Sequence, residues 1–211
     1  MPGPTRFLWI RHGEVDAAWG ARVYGDLDIP LSERGKGQAK EVAGWLSGTP
    51  LDAVVSTDLA RSRFGAEAIA SVHGLPVTLE RDLRELNRGT WRGLTWEEVE
   101  ARFPGGRKRF LEDPDWREHG GESLNQVGGR VVPALGRLAT RHAGGTVAVV
   151  GHLWPIRIAI ASALGLPLSR VTHLQVEPGT IGVVDLHDRG GVLLALNLRQ
   201  PPPALPSEAP P

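Results

Sequence analysis

Short apolar runs alternate along the chain with amphipathic stretches, and their spacing predicts strands and helices in turn. Thr5 to Ile10 reads as a first strand, and Ser32 can cap a helix to about Ser47 that turns Val42, Ala43, Trp45 and Leu46 inward. Leu51 to Val55 reads as a second strand, Asp58 as the start of a helix to about His73, and Pro76 to Leu79 as a short extended piece. Thr95-Trp96-Glu97-Glu98 and Ser123-Leu124-Asn125-Gln126 both carry the capping-box pattern. The first opens a short helix broken at Pro104-Gly105-Gly106. The second opens a long one to about His142, in which Pro133 predicts a kink or a weak point. Thr146 to Val150 is continuously apolar, as a strand flanked by other strands and covered on both faces requires. Pro155 suits the first turn of a helix reaching Leu164. Val171 to Val176, Ile181 to Leu186 and Val192 to Asn197 read as the remaining strands.

This alternation predicts an α/β fold, a three-layer α/β/α sandwich with a mostly parallel central sheet. One catalytic domain spans residues 1–200, and the Pro-rich tail 201–211 has the composition of a disordered segment.

Composition narrows the classes of partner. Lys+Arg and Asp+Glu both number 24, so no global field recruits nucleic acid or an acidic membrane. The chain has no cysteine, which excludes disulfides, thiolate catalysis and zinc-thiolate sites. Its first residues lack the apolar stretch of a secretory signal, and no apolar run is long enough to span a membrane, so the expected compartment is the cytoplasm.

Chemistry gathers where strands end. Arg11-His12-Gly13-Glu14 follows the first strand, His152 follows the strand Thr146 to Val150, and Arg61 sits on the first turn of the helix after the second strand. In a parallel sheet all of them reach the carboxyl edge, where open α/β sheets bind ligands. An imidazole can attack an electrophile, and arginine forks can hold an anionic one; a phosphate suits both. Cleaving a phosphate ester needs a nucleophile, donors for the charged oxygens and a proton for the departing alkoxide.

Further segments stand in a fixed order: Asp28-Ile29-Pro30-Leu31-Ser32-Glu33-Arg34-Gly35, Ser56-Thr57-Asp58-Leu59-Ala60-Arg61-Ser62, Leu83-Arg84-Glu85-Leu86-Asn87-Arg88-Gly89-Thr90-Trp91, Gly120-Gly121-Glu122-Ser123 and Gly151-His152. With Arg11-His12-Gly13-Glu14 they resemble the histidine phosphatase superfamily, the phosphoglycerate mutase-like group, from about residue 5 to residue 197. The resemblance implies that His12 is the phosphorylated nucleophile, that Arg11, Arg61 and His152 bind the phosphoryl group, and that Glu85 protonates the leaving oxygen. It implies no cofactor and no metal, because two arginines and a protonated histidine supply the positive charge that magnesium supplies elsewhere. The implied function is hydrolysis of small phosphorylated metabolites through a phosphohistidine. The alternatives are a cofactor-dependent phosphoglycerate mutase and a non-catalytic binder of phosphorylated ligands. The interval from Glu85 to His152 is short for a mutase of this type, which favours hydrolysis.

Several positions depart from the family pattern. Val15 and Ala18 stand where a hydroxyl residue and an asparagine are common, and Gly151, Leu153 and Trp154 surround the second histidine in place of smaller or polar residues. Tyr24-Gly25 resembles the α-ribazole phosphatase branch. Trp116 and Trp154 are candidates for an apolar substrate wall, and His119 lies in a segment expected near the site's mouth. Arg92, Arg102, Arg107, Lys108, Arg109 and Arg117 form either a second anion site or, the favoured reading, a solvated face. An outer apolar strand at Ile181 to Leu186 offers a surface for a homodimer.

Overall fold

Alternate side chains of the central strands point to opposite faces, and both faces are apolar, so the sheet must be covered twice. In the computed structural model, which describes residues 3–203, six strands stand in the order β3-β2-β4-β1-β5-β6. They are β1 (Thr5–Arg11), β2 (Ala53–Ser56), β3 (Val77–Leu79), β4 (Thr146–Gly151), β5 (Ile181–His187) and β6 (Gly190–Leu198). β1, β2, β3 and β4 pair in parallel; β5 runs antiparallel to β1, and β6 antiparallel to β5.

The helices are α1 (Ala17–Gly20), α2 (Glu33–Leu46), α3 (Ala60–His73), α4 (Trp96–Arg102), α5 (Gly106–Glu112), α6 (Leu124–Arg141) and α7 (Leu153–Ala163). Leu8, Ile10, Ala148 and Val150 pack with Val42 and Leu46 of α2 and Ile69 of α3. Phe7, Trp9, Val147 and Val149 face the other way, toward Val127 and Val131 of α6 and Ile156 and Ile160 of α7. The sandwich is thus the α/β architecture expected of the sequence.

The expected caps are present. Ser32 Oγ accepts from Gly35 N, and complete capping boxes open α4 at Thr95 and α6 at Ser123. Helix α6 runs through Pro133 as one element, so this proline does not divide it.

Three expectations are corrected. Val171 to Val176 is not a strand; Leu168–His173 is a 3₁₀ turn, and Val171 and Val176 are buried outside the sheet. β1 is already flanked by β4 and β5, which leaves no free edge there, and an apolar spacing does not distinguish burial under a helix from burial in a sheet. Ile181 to Leu186 is likewise no outer strand, because β5 lies between β1 and β6 and both its edges are paired. The exposed edge on that side is β6, with Val192 and Leu194 facing solvent. Asp58 does not cap α3: the Asp28 carboxylate accepts from Ala60 N at 2.8 Å, while Asp58 forms ion pairs with Arg84 and Arg81.

A buried ion pair ties the sheet together. Arg6 on β1 grips Asp185, opposite it on β5, through Nε at 2.7 Å and Nη2 at 2.8 Å, and its Nη1 donates to the Pro203 carbonyl. That contact lays the start of the Pro-rich segment against the domain; residues 204–211 of the tail fall outside the described residues.

Candidate active site

The register of β1 against β4 places the two histidines side by side. Arg11 lies opposite Gly151, and His12 N donates to the Gly151 carbonyl at 3.0 Å, so His12 and His152 leave adjacent strands together. Their ring centroids are 5.3 Å apart. Gly13 then passes Gly35 at the start of α2 so closely that a Cβ on either would collide with the other segment's backbone. Two glycines are what this crossing demands.

His12 is 3% exposed. Its Nδ1 lies 2.7 Å from the Gly13 carbonyl, which can only accept, so the proton sits on Nδ1 and the lone pair on Nε2. Burial, followed by the charges of Arg61 and Arg11, pushes the imidazole well below its ordinary pKa against the opposing effect of the Gly13 bond. The result is a neutral imidazole with a defined tautomer, the form a nucleophile requires. An open cleft of about 500 Å³ borders it, lined in part by Arg11, Gly13, Glu14, Tyr24 and Arg34. Val15 lines the same cleft, giving it an apolar patch where the family pattern has a hydroxyl.

Arg61 projects from the first turn of α3 into the space beside His12. Its Nη2 donates to the Gly25 carbonyl at 2.7 Å, its Nη1 to the Leu27 carbonyl, and its Nε to His12 Nε2 at 3.3 Å. Tyr24 covers it, with the guanidinium carbon 5.4 Å from the ring centre. Arg11 Nη1 is anchored at 2.7 Å on the carbonyl of Val176, in the segment that is not a strand. His152 has Nε2 2.8 Å from Thr57 Oγ1, and its Nδ1 is buried without a partner. Burial first, then the charges of Arg61, His12, Arg11 and Arg130, lower its pKa well below the ordinary value. In the empty site His152 thus favours its neutral form; the protonated histidine implied by the family resemblance refers to the site with a phosphoryl group beside it.

Glu85 approaches from the loop after a 3₁₀ turn, Arg81–Leu83. Its Oε1 accepts from Leu86 N at 2.8 Å and from Trp154 N, in the first turn of α7, at 3.3 Å. The loop is held from behind by a residue the sequence reading missed. Arg130 on α6 grips Glu122 through Nε at 2.8 Å and Nη2 at 2.9 Å, and its Nη1 donates to the carbonyls of Asp82 and Arg84, each at 2.7 Å. Glu122 in turn accepts from Asn87 N at 2.9 Å. Burial alone would raise the Glu122 carboxyl; the Arg130 fork and the Asn87 N–H outweigh it and hold it below its ordinary value. Gly89, at φ +50°, lies so close to the His119 carbonyl and Gly121 that no side chain fits. The quoted segment Gly120-Gly121-Glu122-Ser123 was the only signal of this support, and it gave no indication that Arg130 is the partner.

All five residues expected at the site, Arg11, His12, Arg61, Glu85 and His152, thus converge at one sheet edge. Four of the basic residues of the 92–117 segment have partners of their own. Arg92 pairs with Asp26, Lys108 with Glu112 and Arg109 with Glu118, while Arg107 covers Trp96. Trp116 and Trp154 are buried in an aromatic cluster with Trp91 and Phe110, and His119 is buried among the same rings. Arg88 is the second residue overlooked: a buried cation on that cluster.

A neutral histidine whose Nε2 meets only the Arg61 guanidinium, with Arg11 on its other side and the Glu85 carboxyl nearby, is an arrangement suited to binding a phosphate. Comparison with known proteins agrees: residues 7–199 match the histidine phosphatase superfamily, branch 1, and the chain belongs to that family. Phosphoserine phosphatase 1 of Hydrogenobacter thermophilus is 36% identical over 195 residues, 92% of each chain. A mycobacterial glucosyl-3-phosphoglycerate phosphatase solved with VO3 superposes with a TM-score of 0.84 at 32% identity, covering 91% of this chain and 98% of that one. The α-ribazole phosphatase from Shigella flexneri also superposes at 0.84, with 25% identity over 95% of this chain and all of that one. The protein is a histidine phosphatase whose relatives act on small phosphorylated metabolites.

Proposed function

We propose that residues 1–200 form a single catalytic domain that hydrolyses small phosphate monoesters in the cytoplasm through a phosphohistidine on His12. The observation that carries the assignment is the Nδ1 bond to Gly13, which leaves the Nε2 lone pair of a neutral ring at the mouth of the cleft.

In the first step Nε2 attacks phosphorus as the bond to the ester oxygen breaks; Arg11, Arg61 and the donors of His152 take up the charge on the three other oxygens. Glu85 gives its proton to the departing alkoxide. In the second step the Glu85 carboxylate takes a proton from water, water oxygen bonds to phosphorus, the P–N bond breaks, and its electron pair returns to Nε2. Arrival of the phosphoryl group also gives His152 an anionic neighbour, which favours its uptake of a proton.

Rapid quenching during turnover of a phosphate ester tests the reading. Wild-type protein should carry an acid-labile, base-stable phosphoryl label, and His12→Ala should carry none and turn nothing over. A label retained in that variant rejects His12 as the nucleophile.

A further inference from the structure

Arg88 is 6% exposed, and its Nη1 is buried with no hydrogen-bond partner among the described residues. What surrounds it is aromatic: the guanidinium carbon lies 4.4 Å from the centre of the Phe110 ring and 5.1 Å from that of Trp154. Ring faces attract a cation, but they offset only a fraction of what a guanidinium loses on leaving water. A second guanidinium shares the same indole, since Arg157 lies 5.3 Å from the Trp154 ring centre with its Nε held on the Leu174 carbonyl. Nearby, His119 Nδ1 accepts from Gly121 N, which puts its proton on Nε2, and that nitrogen is also buried without an acceptor. The cluster therefore holds two buried donors without an acceptor among the described residues, Arg88 Nη1 and His119 Nε2, and two cations whose charge is met by the Glu85 carboxylate.

Its position fixes what such an acceptor would belong to. Trp154 carries the two arginines on its ring and gives its backbone N–H to Glu85, and Arg88 lies three residues after Glu85 in the same irregular loop. Arg88 and Arg157 both feel the charge of the Glu85 carboxylate, so on the mechanism above they stand beside the group that protonates the alcohol. We propose that Arg88 and Arg157, set about Trp154, form a second anion subsite that takes a carboxylate carried on the alcohol portion of the phosphate ester. This rests on the phosphatase reading above and narrows it to phosphorylated hydroxy acids.

Two pairs of esters that differ only in the carboxylate test it: 3-phosphoglycerate against glycerol 3-phosphate, and phosphoserine against phosphoethanolamine. The wild-type protein should favour the carboxylated member of each pair by about tenfold or more in kcat/KM, since a site built around a polar group rejects the analogue lacking it. Arg88→Met and Arg157→Met should each shrink that preference severalfold, mainly by raising KM for the acid, and Arg88→Lys should restore part of it. Equal kcat/KM within each wild-type pair overturns the subsite, as do variants that lose both members in the same proportion. The wild-type comparison and Arg157→Met decide the question even if Arg88→Met does not fold. Absence of turnover on all four esters, together with no phosphohistidine, would instead overturn the phosphatase reading.

Discussion

Arg61 Nε points at His12 Nε2 from 3.3 Å, so the guanidinium touches the very lone pair that the proposed mechanism sends to phosphorus. An entering phosphate has to draw that donor onto its own oxygen, which couples binding of the anion to release of the nucleophile. The carbonyls of Gly25 and Leu27 hold the rest of the guanidinium in place while this happens.

Arg61→Lys keeps the charge but loses the planar fork and the Nε donor. It should reduce kcat by about 10²-fold, the scale of one preorganised oxyanion donor, and weaken inhibition by vanadate. Steady-state kinetics with vanadate as competitor measure both, and near-normal values for each would give Arg61 a structural role only.

Glu85→Gln separates the acid from the clamp by way of the leaving group. An alkyl phosphate should slow by about 10²- to 10⁴-fold, the usual range for general acid catalysis. Phosphorylation by p-nitrophenyl phosphate, whose leaving phenolate needs little protonation, should slow far less and show a burst of nitrophenol. Equal losses in single-turnover rate on both substrates would show that Glu85 only positions other groups.

Arg130 is a positioning residue: it touches the backbone of the Glu85 loop and not the phosphate. Arg130→Met should mimic Glu85→Gln in sparing the aryl ester relative to the alkyl one, and it should cost about 1–3 kcal/mol of stability by leaving half-buried Glu122 and the loop carbonyls without their partner. Urea unfolding beside the two-substrate assay reads both effects. A stability loss with no change in the aryl-to-alkyl ratio would make the contact purely structural.

Acid should destabilise the fold through its buried imidazoles. The pKa values of His12, His152 and His119 are all lowered, that of His119 to about 4 by burial and by the charge of Arg88. Above the unfolded value of about 6.5 both states are neutral. Below it the unfolded chain binds protons that the native state refuses, so the stability that depends on these rings staying neutral is lost progressively as pH falls from about 6.5 toward 4. Urea midpoints between pH 7.5 and 4.5 should drop progressively, and less steeply in His119→Gln; a flat profile would mean that the native rings titrate normally.

The pair Arg6–Asp185 makes a separate prediction far from the chemistry. Both side chains are nearly inaccessible, 3% and 4% exposed, so Asp185→Ala strands a buried guanidinium and should cost about 3–5 kcal/mol. Thermal or urea unfolding measures the loss, and a change below about 1 kcal/mol would show water reaching Arg6.

Much of this molecule was legible because local chemistry and global packing agree. Ser32, Thr95 and Ser123 are caps that read the same in the sequence and in the fold, and the apolar runs before His12 and His152 permitted only strands ending at a common edge. The failures occurred where a residue's role depends on a distant partner. Asp58 looks like a cap, but Asp28 reaches Ala60 first. Val171 to Val176 looks like a strand, but β4 and β5 already occupy both edges of β1, and Val171 and Val176 are buried outside the sheet. Arg130 and Arg88 carry no local signature at all: one is defined by carbonyls some 45 positions earlier in the chain, the other by three rings drawn from separate segments.

The central position of β1 also governs when this enzyme can exist. The strand leading to His12 precedes the other five in the chain, yet its neighbours are β4 and β5, which lie far downstream. During synthesis the nucleophile must wait, unpaired, until those strands emerge, because pairing across such separations requires closing very long loops. Arg61, Glu85 and His152 are brought to it only at that closure. On the proposed mechanism, appearance of phosphohistidine during translation would report completion of the sheet itself.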